Sequence, residues 1–455
     1  MALPNLVGLG SGLLMGLATT CMISWLAWVG LVPLLVSLKE EKPSLMPALF
    51  AGAGYGLAMN LWVFGAAFRY TGGAMMPSVA CQVLAIFASA LAPSLMVLMI
   101  GWMHPLWGSH RLFLWPLAAT LTGFLVYTLF EGFPWFQYTF GFSQVRNRPM
   151  LQLAELGGVH ALVFVVLLIN QMVTRAIQRK RGALFLSACL LLVMLHGYGW
   201  FQIHTLEGSA GKPVTVALVN DNSIGEMRWN REKLDTYAHR LMALSEAIQE
   251  KGQALNVWTE ATIPWSYKKE DPLTQALLSM SKSSAPHLLG MASFDANKNP
   301  FNSVYALKRS GQSMGRRDKQ NLLKGVEMPV TGYALPFFEA SPFKAAAPEH
   351  RGLLTVNGLN LGILVCNEAV TNRVARAFPM EKLDLLVVLA NTNWFDGTPL
   401  ARHFFYFNRI RAVENRKNVV VNSNLGVSGH ITPSGRIAKR VYSHMPQVTY
   451  VETSL

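Results

Sequence analysis

The chain has 455 residues, of which 51% are hydrophobic and 14% are charged, and its formal net charge is +14. Soluble domains carry about 25% charged residues, so this composition excludes a protein that is soluble along its whole length. The deficit is uneven, because residues 1–200 are nearly free of charge and residues 205–455 have an ordinary composition. We therefore predict a membrane part, residues 1–204, and a globular part, residues 205–455, which is long enough for a core of its own.

A positive net charge is also typical of nucleic-acid binding, but the longest basic run here is residues 179–181. We interpret the charge as a determinant of membrane topology and as an attraction to anionic lipid headgroups. The expected partner is the membrane, with no nucleic acid.

The cysteines form neither a CxxC pattern nor a cluster with histidine: Cys21, Cys81, Cys189 and Cys366. The first three lie in apolar segments, where cysteine packs as a small hydrophobic residue. The sequence therefore predicts neither a disulfide scaffold nor a metal site.

Seven apolar segments are candidates for membrane spans. They cover residues 4–20, 22–38, 45–68, 77–103, 112–130, 157–177 and 182–202. Loops after even-numbered spans hold most of the basic residues, namely Lys39, Lys42, Arg111, Arg175, Arg179, Lys180 and Arg181. Because basic loops stay in the cytoplasm, the globular part is expected on the outer side. The prediction is a multi-pass protein of the bacterial inner membrane with a periplasmic globular part.

Apolar runs in the globular part predict buried strands, and residues 230–251 have helical spacing. The runs cover residues 213–219, 254–258, 287–291, 361–365, 384–389 and 418–422. Strands that alternate with helices indicate an α/β domain, and polar residues collect where these strands end. Open α/β sheets usually hold their ligands at that edge.

Three residues beside strand-like segments provide a base, a cation and a nucleophile, in the order Glu260, Lys319 and Cys366. A free cysteine is only a few per cent thiolate at neutral pH. A nearby ammonium lowers the pKa of a thiol, and a positioned carboxylate can accept its proton. Taken alone, Cys366 has a second interpretation, an inert core cysteine at the end of a strand.

These motifs together resemble the nitrilase, or carbon–nitrogen hydrolase, superfamily, and the whole chain resembles the apolipoprotein N-acyltransferase family. The nitrilase-like motifs are WTEA at 258–261, DKQNL at 318–322 followed by Glu327, and VCNE at 365–368. Further matches are NTNWF at 391–395, RAVEN at 411–415 and residues 422–429. The acyltransferase family adds the N-terminal spans, GFPW at 132–135 and Trp229.

The resemblance implies a membrane helical bundle followed by a nitrilase-like αββα sandwich. It implies acyl transfer from a phospholipid, phosphatidylethanolamine in the family, to the N-terminal amine of a diacylglyceryl-cysteine lipoprotein. The acyl group would pass through a cysteine thioester, and no metal or organic cofactor is required.

The resemblance also implies roles for individual residues. Glu260 would be the general base, Lys319 would stabilise the oxyanion and Cys366 would be the nucleophile. Glu327 would orient Lys319 or Glu260, and Glu368 would support either the acceptor or the geometry of the site.

Three further residues are candidates for substrate binding, namely Trp229, Asn393 and Trp394. Trp229 and Asn393 each have a structural alternative, because the tryptophan can simply pack and the asparagine can serve the fold.

The sequence departs from the acyltransferase pattern at several positions. Thr259 stands where the family usually has proline, Asn367 where it usually has tyrosine, and residues 324–326 replace Pro-Phe-Gly. The family also usually ends with a further C-terminal span, which the sequence up to Leu455 does not predict.

These departures leave two alternatives open. One is a membrane-tethered amidase, or an acyltransferase for another amine, that uses the same three residues. The other is a catalytically inactive lipid-binding module, against which the intact Glu260, Lys319 and Cys366 argue.

Overall fold

The computed structural model describes residues 3–38, 44–103, 112–133, 139–208, 211–222, 231–268, 271–329, 343–442 and 445–455. The chain divides into two compact units, Met1–Gly208 and Ser209–Leu455. We call them the helical unit and the α/β unit, and each is described by itself.

The described part of the helical unit consists of helices joined by short connections. The helices are Leu3–Thr20 (α1), Ser24–Ala27 (α2), Val32–Ser37 (α3), Leu45–Asn60 (α4), Val63–Tyr70 (α5), Met75–Met103 (α6), Leu114–Leu129 (α7), Arg148–Leu151 (α8), Ala154–Gln178 (α9) and Gly182–Glu207 (α10).

Among the described residues, α1, α6, α9 and α10 are long and apolar enough to cross a membrane. The pair α4 and α5 also qualifies as one span, bent by 49° at a short break. The predicted spans 22–38 and 112–130 coincide with shorter apolar helices. The predicted membrane helical part is thus confirmed, whereas the number of seven spans stays a prediction.

Glycines at every fourth position bring α1 into contact with the backbone of α4. They are Gly8, Gly12 and Gly16. A Cβ atom at Gly12 would lie 1.9 Å from the carbonyl oxygen of Ala51, and one at Gly8 would lie 2.3 Å from that of Pro47. In a membrane, where burial of apolar side chains gives little driving force, such close backbone packing holds helices together.

Asn170 on α9 satisfies the backbone groups at the break between α2 and α3. Its side-chain oxygen accepts a hydrogen bond from Leu31 N at 3.0 Å, and its Nδ2 donates to Ala27 O at 2.8 Å. Backbone groups in a bilayer find no water, so a broken helix needs a partner of this kind. The contact explains how one short apolar segment can contain two helices.

The described part of the α/β unit contains four helices and two sheets. The strands are Pro213–Asn220 (β1), Leu255–Val257 (β2), Ile263–Ser266 (β3), His287–Phe294 (β4), Pro300–Leu307 (β5), Ser313–Asp318 (β6), Leu354–Val356 (β7), Leu359–Val365 (β8), Leu385–Asn391 (β9), Val419–Asn424 (β10), Val427–Ile431 (β11), Ile437–Tyr442 (β12) and Gln447–Ser454 (β13). The helices are Arg231–Ala247 (α11), Pro272–Met280 (α12), Arg373–Arg376 (α13) and Pro399–Asn415 (α14).

The two sheets pack face to face between two layers of helices. The first sheet has the order β13-β1-β2-β4-β5-β6 with β3 beside β4, and the second has the order β12-β11-β10-β9-β8-β7. Helices α11 and α12 pack on the first sheet, and α13 and α14 pack on the second. The predicted αββα sandwich is therefore confirmed.

Alternate residues of the strands fill the space between the sheets. Val216 and Leu218 of β1 face Ile363 of β8 and Val387 of β9 in one fully buried cluster. The intervening residues of β1 face the helices, as Val219 does in the cluster with α11. Strands buried on both faces read as continuous apolar runs, which is why the sequence predicted them.

Two asparagines connect the sheets at the edge where these strands end. Asn422 on β10 donates from its Nδ2 to the carbonyl oxygens of Val219 at 2.9 Å and Val257 at 2.8 Å. Asn220 on β1 donates in the other direction, to Ser423 O at 2.8 Å. Both side chains are buried, so the two sheets are held in register at this edge by hydrogen bonds as well as by apolar contact.

Replacement of Asn422 by alanine is expected to destabilise the α/β unit by about 1–3 kcal/mol, because the two buried hydrogen bonds to the first sheet and the one from Ser428 Oγ are lost. Thermal unfolding of the full chain in detergent measures the change. The matched control is Asn297→Ala, at an exposed position of the β4–β5 connection, which should change the stability by less than about 0.5 kcal/mol. Equal unfolding temperatures for the two variants would show that these bonds contribute nothing.

Candidate active site

The three predicted catalytic residues each follow a strand of the α/β unit. Glu260 lies in the turn after β2, Lys319 directly follows β6, and Cys366 directly follows β8. The first two come from one sheet and the third from the other. The sandwich brings them together, with Glu260 as the common contact of Lys319 and Cys366.

The turn that carries Glu260 lies directly against β4. A Cβ atom at Gly290 would stand 2.5 Å from Ala261 N and 2.6 Å from Thr259 O, so only glycine fits beneath this turn. Ala261 has φ of +51°, a left-handed conformation that non-glycine residues seldom adopt. Such backbone strain persists only where the surroundings hold it, and it is frequent at functional sites.

Lys319 forms ion pairs with two carboxylates. Its Nζ lies 3.0 Å from Glu260 Oε1 and 2.8 Å from Glu327 Oε2, and all three side chains are buried. Burial alone would lower the pKa of Lys319, but the two carboxylates raise it above its ordinary value. The lysine is therefore a permanent cation. An ammonium has three N–H donors, so one remains for a substrate oxygen after these two contacts.

Backbone N–H groups also donate to the two glutamates. Asn391 N donates to Glu260 Oε2 at 3.1 Å, from the end of β9 in the second sheet. Leu323 N donates to Glu327 Oε2 at 2.8 Å. These backbone donors hold both carboxylates in place.

Asn302 on β5 was not identified from the sequence, although it joins the whole charged group. Its Nδ2 donates to Glu260 Oε1 at 2.9 Å and to Glu327 Oε1 at 2.7 Å. Its backbone carbonyl accepts from Lys319 N at 2.8 Å. In the sequence, Asn302 is a single amide residue within a strand-like segment. Such residues are too common for this one to be recognised as part of a site.

Cys366 begins a 3₁₀ turn, Cys366–Ala369, immediately after β8. Its φ is +50°, so the nucleophile also has the left-handed conformation. The residues on either side of it are buried, whereas Cys366 is partly exposed. Cys366 therefore lies at a sharp bend between two buried neighbours.

Burial raises the pKa of the Cys366 thiol well above its ordinary value, and the charge of Glu260 adds to this effect. Lys319 acts in the opposite direction but does not outweigh burial and the carboxylates of Glu260 and Glu327. The expected lowering by Lys319 is therefore present, but the net shift of the pKa of Cys366 is upward. One ammonium faces two carboxylates, so the thiol meets a net negative charge. The thiol of Cys366 is hydrogen-bonded to Glu260.

Glu368 links the segment of Lys319 to the segment of Cys366. Its Oε1 accepts from the backbone N–H groups of Gln320 at 2.6 Å and Asn321 at 3.2 Å. Its Oε2 accepts from Val365 N at 2.8 Å and from Arg317 Nη1 at 3.0 Å. All of these contacts are internal, and they support the predicted role in the geometry of the site.

Two of the residues that depart from the family pattern form hydrogen bonds with residues nearby. Asn367, next to the cysteine, donates from its Nδ2 to Asn321 O at 3.0 Å. Gly325, in the divergent segment 324–326, has φ of +84° and its N–H donates to Met328 O at 2.7 Å. Each divergent residue is thus part of a defined turn beside the site.

The predicted substrate-binding residues remain predictions. Trp229 lies outside the described residues. Asn393 and Trp394 lie in the 3₁₀ turn Asn393–Phe395, directly after the β9 residue whose N–H contacts Glu260. Asn393 N donates to Asn391 Oδ1 at 3.2 Å, which is a contact of the fold.

Across the part of the chain that the structure describes, no group of three or more histidine, cysteine, aspartate or glutamate side chains could hold a metal ion. The arrangement itself can take a proton from a thiol, return it to a leaving group and stabilise an oxyanion. It is suited to nucleophilic acyl transfer.

The fold and this site are those of a known class. Residues 215–455 match the carbon–nitrogen hydrolase family, and residues 11–173 match the N-terminal domain of apolipoprotein N-acyltransferase. Because the first match alone covers more than half of the sequence, the chain belongs to the carbon–nitrogen hydrolase family, and the second match places it with the apolipoprotein N-acyltransferases.

Curated relatives match along most of the chain. The apolipoprotein N-acyltransferase of Geobacter metallireducens is 28% identical over 443 residues, which cover 91% of this chain and 82% of the relative. That of Nitrosomonas europaea is 27% identical and covers 88% and 81%. That of Azotobacter vinelandii is 27% identical and covers 99% and 89%. The resemblance predicted from the sequence is confirmed.

The environment of Cys366 predicts its reactivity toward iodoacetamide. In a variant with alanine at the other three cysteines, we expect the pH midpoint of alkylation to lie above about 8.5, the ordinary cysteine value. Glu260→Gln should lower this midpoint by about one unit or more, since a negative charge is lost while Lys319 remains. Rates of labelling across a pH series measure both values.

The control for this measurement is Asp384→Asn, which removes a carboxylate from the opposite end of β9. It should leave the midpoint unchanged. An unshifted midpoint in Glu260→Gln would contradict the contact between Glu260 and the thiol.

Proposed function

We propose that the chain is a membrane-bound N-acyltransferase that moves an acyl chain from a phospholipid to the N-terminal amine of a diacylglyceryl-cysteine lipoprotein. The observation that carries the proposal is the contact of the Cys366 thiol with Glu260, which is itself paired with the buried Lys319. The described part of the helical unit contains apolar helices long enough to cross a membrane, and residues 11–173 match the N-terminal domain of apolipoprotein N-acyltransferase.

In the first half-reaction, Cys366 Sγ attacks the carbonyl carbon of a phospholipid ester, and its proton passes to Glu260. Lys319 stabilises the negative oxygen of the tetrahedral intermediate with its remaining N–H donor. The ester C–O bond then breaks, and Glu260 returns the proton to the glycerol oxygen. The products are a lysophospholipid and an acyl thioester on Cys366.

In the second half-reaction, the neutral amine of the lipoprotein attacks the thioester carbonyl. Glu260 accepts a proton from the attacking nitrogen as the C–N bond forms. The C–S bond breaks, and the proton passes to the sulfur of Cys366. The thiol is regenerated, and the product carries a third acyl chain in an amide bond.

The raised pKa of Cys366 fits this sequence of steps. A thiol that stays protonated at neutral pH does not react with other electrophiles at rest. Proton transfer to Glu260 then accompanies attack on a bound ester, so the reaction depends on the position of the substrate as well as on the pH.

The proposal predicts that the two half-reactions can be observed separately. Incubation with a phospholipid that carries a labelled acyl chain should load Cys366 without any acceptor, and a diacylated lipopeptide with a free N-terminal amine should then discharge it. Mass spectrometry of the purified protein detects the adduct. Cys366→Ala should abolish loading, and Cys366→Ser should reduce it severely, because a hydroxyl ionises far less readily than a thiol.

Variants of the neighbouring residues should slow both steps. Lys319→Ala loses the oxyanion contact, which is typically worth about 3 kcal/mol, or roughly 10²–10³-fold in rate. If the phospholipid loads Cys366 but the lipopeptide does not discharge it, the acyl-enzyme chemistry stands and the lipoprotein is rejected as the acceptor. Hydrolysis of a small amide with no loading from any phospholipid would identify an amidase instead.

We further propose that the α/β unit lies on the outer side of the bacterial inner membrane. The support is the asymmetric distribution of basic residues between the loops of the N-terminal part. Protease added to intact spheroplasts should digest residues 205–455, as detected with an antibody to the C-terminus. Protection until the cells are lysed would reverse this topology.

A further inference from the structure

Thr259 occupies the position directly before Glu260. The side chain of Thr259 is buried. Its Oγ1 donates a hydrogen bond to Asp221 Oδ1 at 2.7 Å.

Asp221 is a buried carboxylate that the proposed mechanism does not use. It follows β1 directly and has none of its surface exposed. Its second oxygen, Oδ2, accepts from the hydroxyl of Tyr237 on α11 at 2.7 Å. Two neutral donors thus hold this carboxylate, and the structure gives it no contact with Lys319.

The same contacts reach the other end of the turn that carries Glu260. Thr262 Oγ1 donates to Thr259 O at 2.8 Å, which closes the turn. The hydroxyl of Tyr237 lies 2.9 Å from Thr262 O, within hydrogen-bond distance. Both ends of the turn are therefore attached to one buried network around Asp221.

We infer that Asp221 and Thr259 form a positioning pair that fixes the turn of the general base. A proline ring fixes φ near −65°, which restrains the residue before the base without a partner. Threonine has no such restraint, and the hydrogen bond to a buried carboxylate supplies it. The inference rests on the proposed role of Glu260.

The precision that this turn must have explains why a restraint is needed. The carboxylate of Glu260 meets Lys319 Nζ at 3.0 Å, Asn302 Nδ2 at 2.9 Å and Asn391 N at 3.1 Å at the same time. A displacement of about 1 Å breaks such contacts and can reduce a rate by about 10²-fold.

The first readout is the rate at which Cys366 is loaded from the labelled phospholipid. Thr259→Val, which keeps the shape and removes the hydroxyl, should load about 10–100-fold more slowly. Thr259→Pro should load within about threefold of the original chain, because the ring replaces the restraint. Asp221→Ala should be slow in the original background and cost less than about threefold in the Thr259→Pro background.

The second readout is the alkylation midpoint of Cys366 in the single-thiol chain. The charged groups that face this thiol are Glu260, Lys319 and Glu327. If the turn is displaced, the thiol loses the carboxylate of Glu260, so Thr259→Val should lower the midpoint, as Glu260→Gln does. Thr259→Pro should leave it unchanged. A role in stability alone would not move this midpoint.

The matched control is Ser245→Ala on α11, which removes a buried hydroxyl that donates to a backbone carbonyl and not to Asp221. It should lower the unfolding temperature to a similar extent as Thr259→Val and leave loading and the midpoint unchanged. The inference is overturned if Thr259→Val loads at the original rate with an unshifted midpoint. It is also overturned if Asp221→Ala is equally harmful in both backgrounds.

The two readouts separate this inference from the proposed function. A chain that is never loaded by any phospholipid refutes the proposed donor, but the alkylation midpoints of the variants still report the position of Glu260. Normal loading in the original chain, together with unshifted midpoints in all variants, refutes only the positioning pair.

Discussion

The site depends on one electrostatic constraint, which is that a single buried ammonium is shared by two buried carboxylates. An isolated charge of this kind is costly to bury, so Lys319, Glu260 and Glu327 are stable in the interior only as a group. The pKa of the neighbouring Cys366 thiol is raised first by burial, and the charges of Glu260 and Glu327 add to this effect. A lysine that merely activated the cysteine would produce a thiolate, whereas this cluster keeps the thiol protonated and provides a base for it.

The neutral groups around this cluster are as important as the charged ones. Asn302, the N–H of Asn391 and the N–H of Leu323 occupy the lone pairs of the two glutamates. Each donor stabilises a carboxylate without adding a positive charge. An added positive charge would lower the pKa of Cys366. Hydrogen bonds thus fix the position of the Glu260 carboxylate. Its negative charge acts on the pKa of the Cys366 thiol.

The sequence predicted the parts of this arrangement that depend on local pattern. The apolar run before Cys366 predicted β8, and the loss of charge before residue 200 predicted the membrane helices. The pKa of Cys366 was not predictable in the same way, because it depends on how many carboxylates lie within reach. Asn302 was missed for a similar reason, since only the pairing of β5 with β4 and β6 brings it to the two glutamates. The role of Asn170 likewise depends on the fold, because its hydrogen-bond partners lie at a helix break that is far away in sequence.

The pairing of β1 with β13 has a consequence for the order in which the α/β unit folds. These strands come from opposite ends of the unit, with Pro213 opposite Ser454 and Asn220 opposite Gln447. Pairing partners so distant in sequence form late, because a long loop must close first. A ribosome-bound chain that has not yet exposed β13 therefore presents β1 as an open sheet edge, which is prone to aggregation. The unit must stay in this vulnerable state until its last strand is available, so truncation before Gln447 should harm solubility even though the three residues of the site remain.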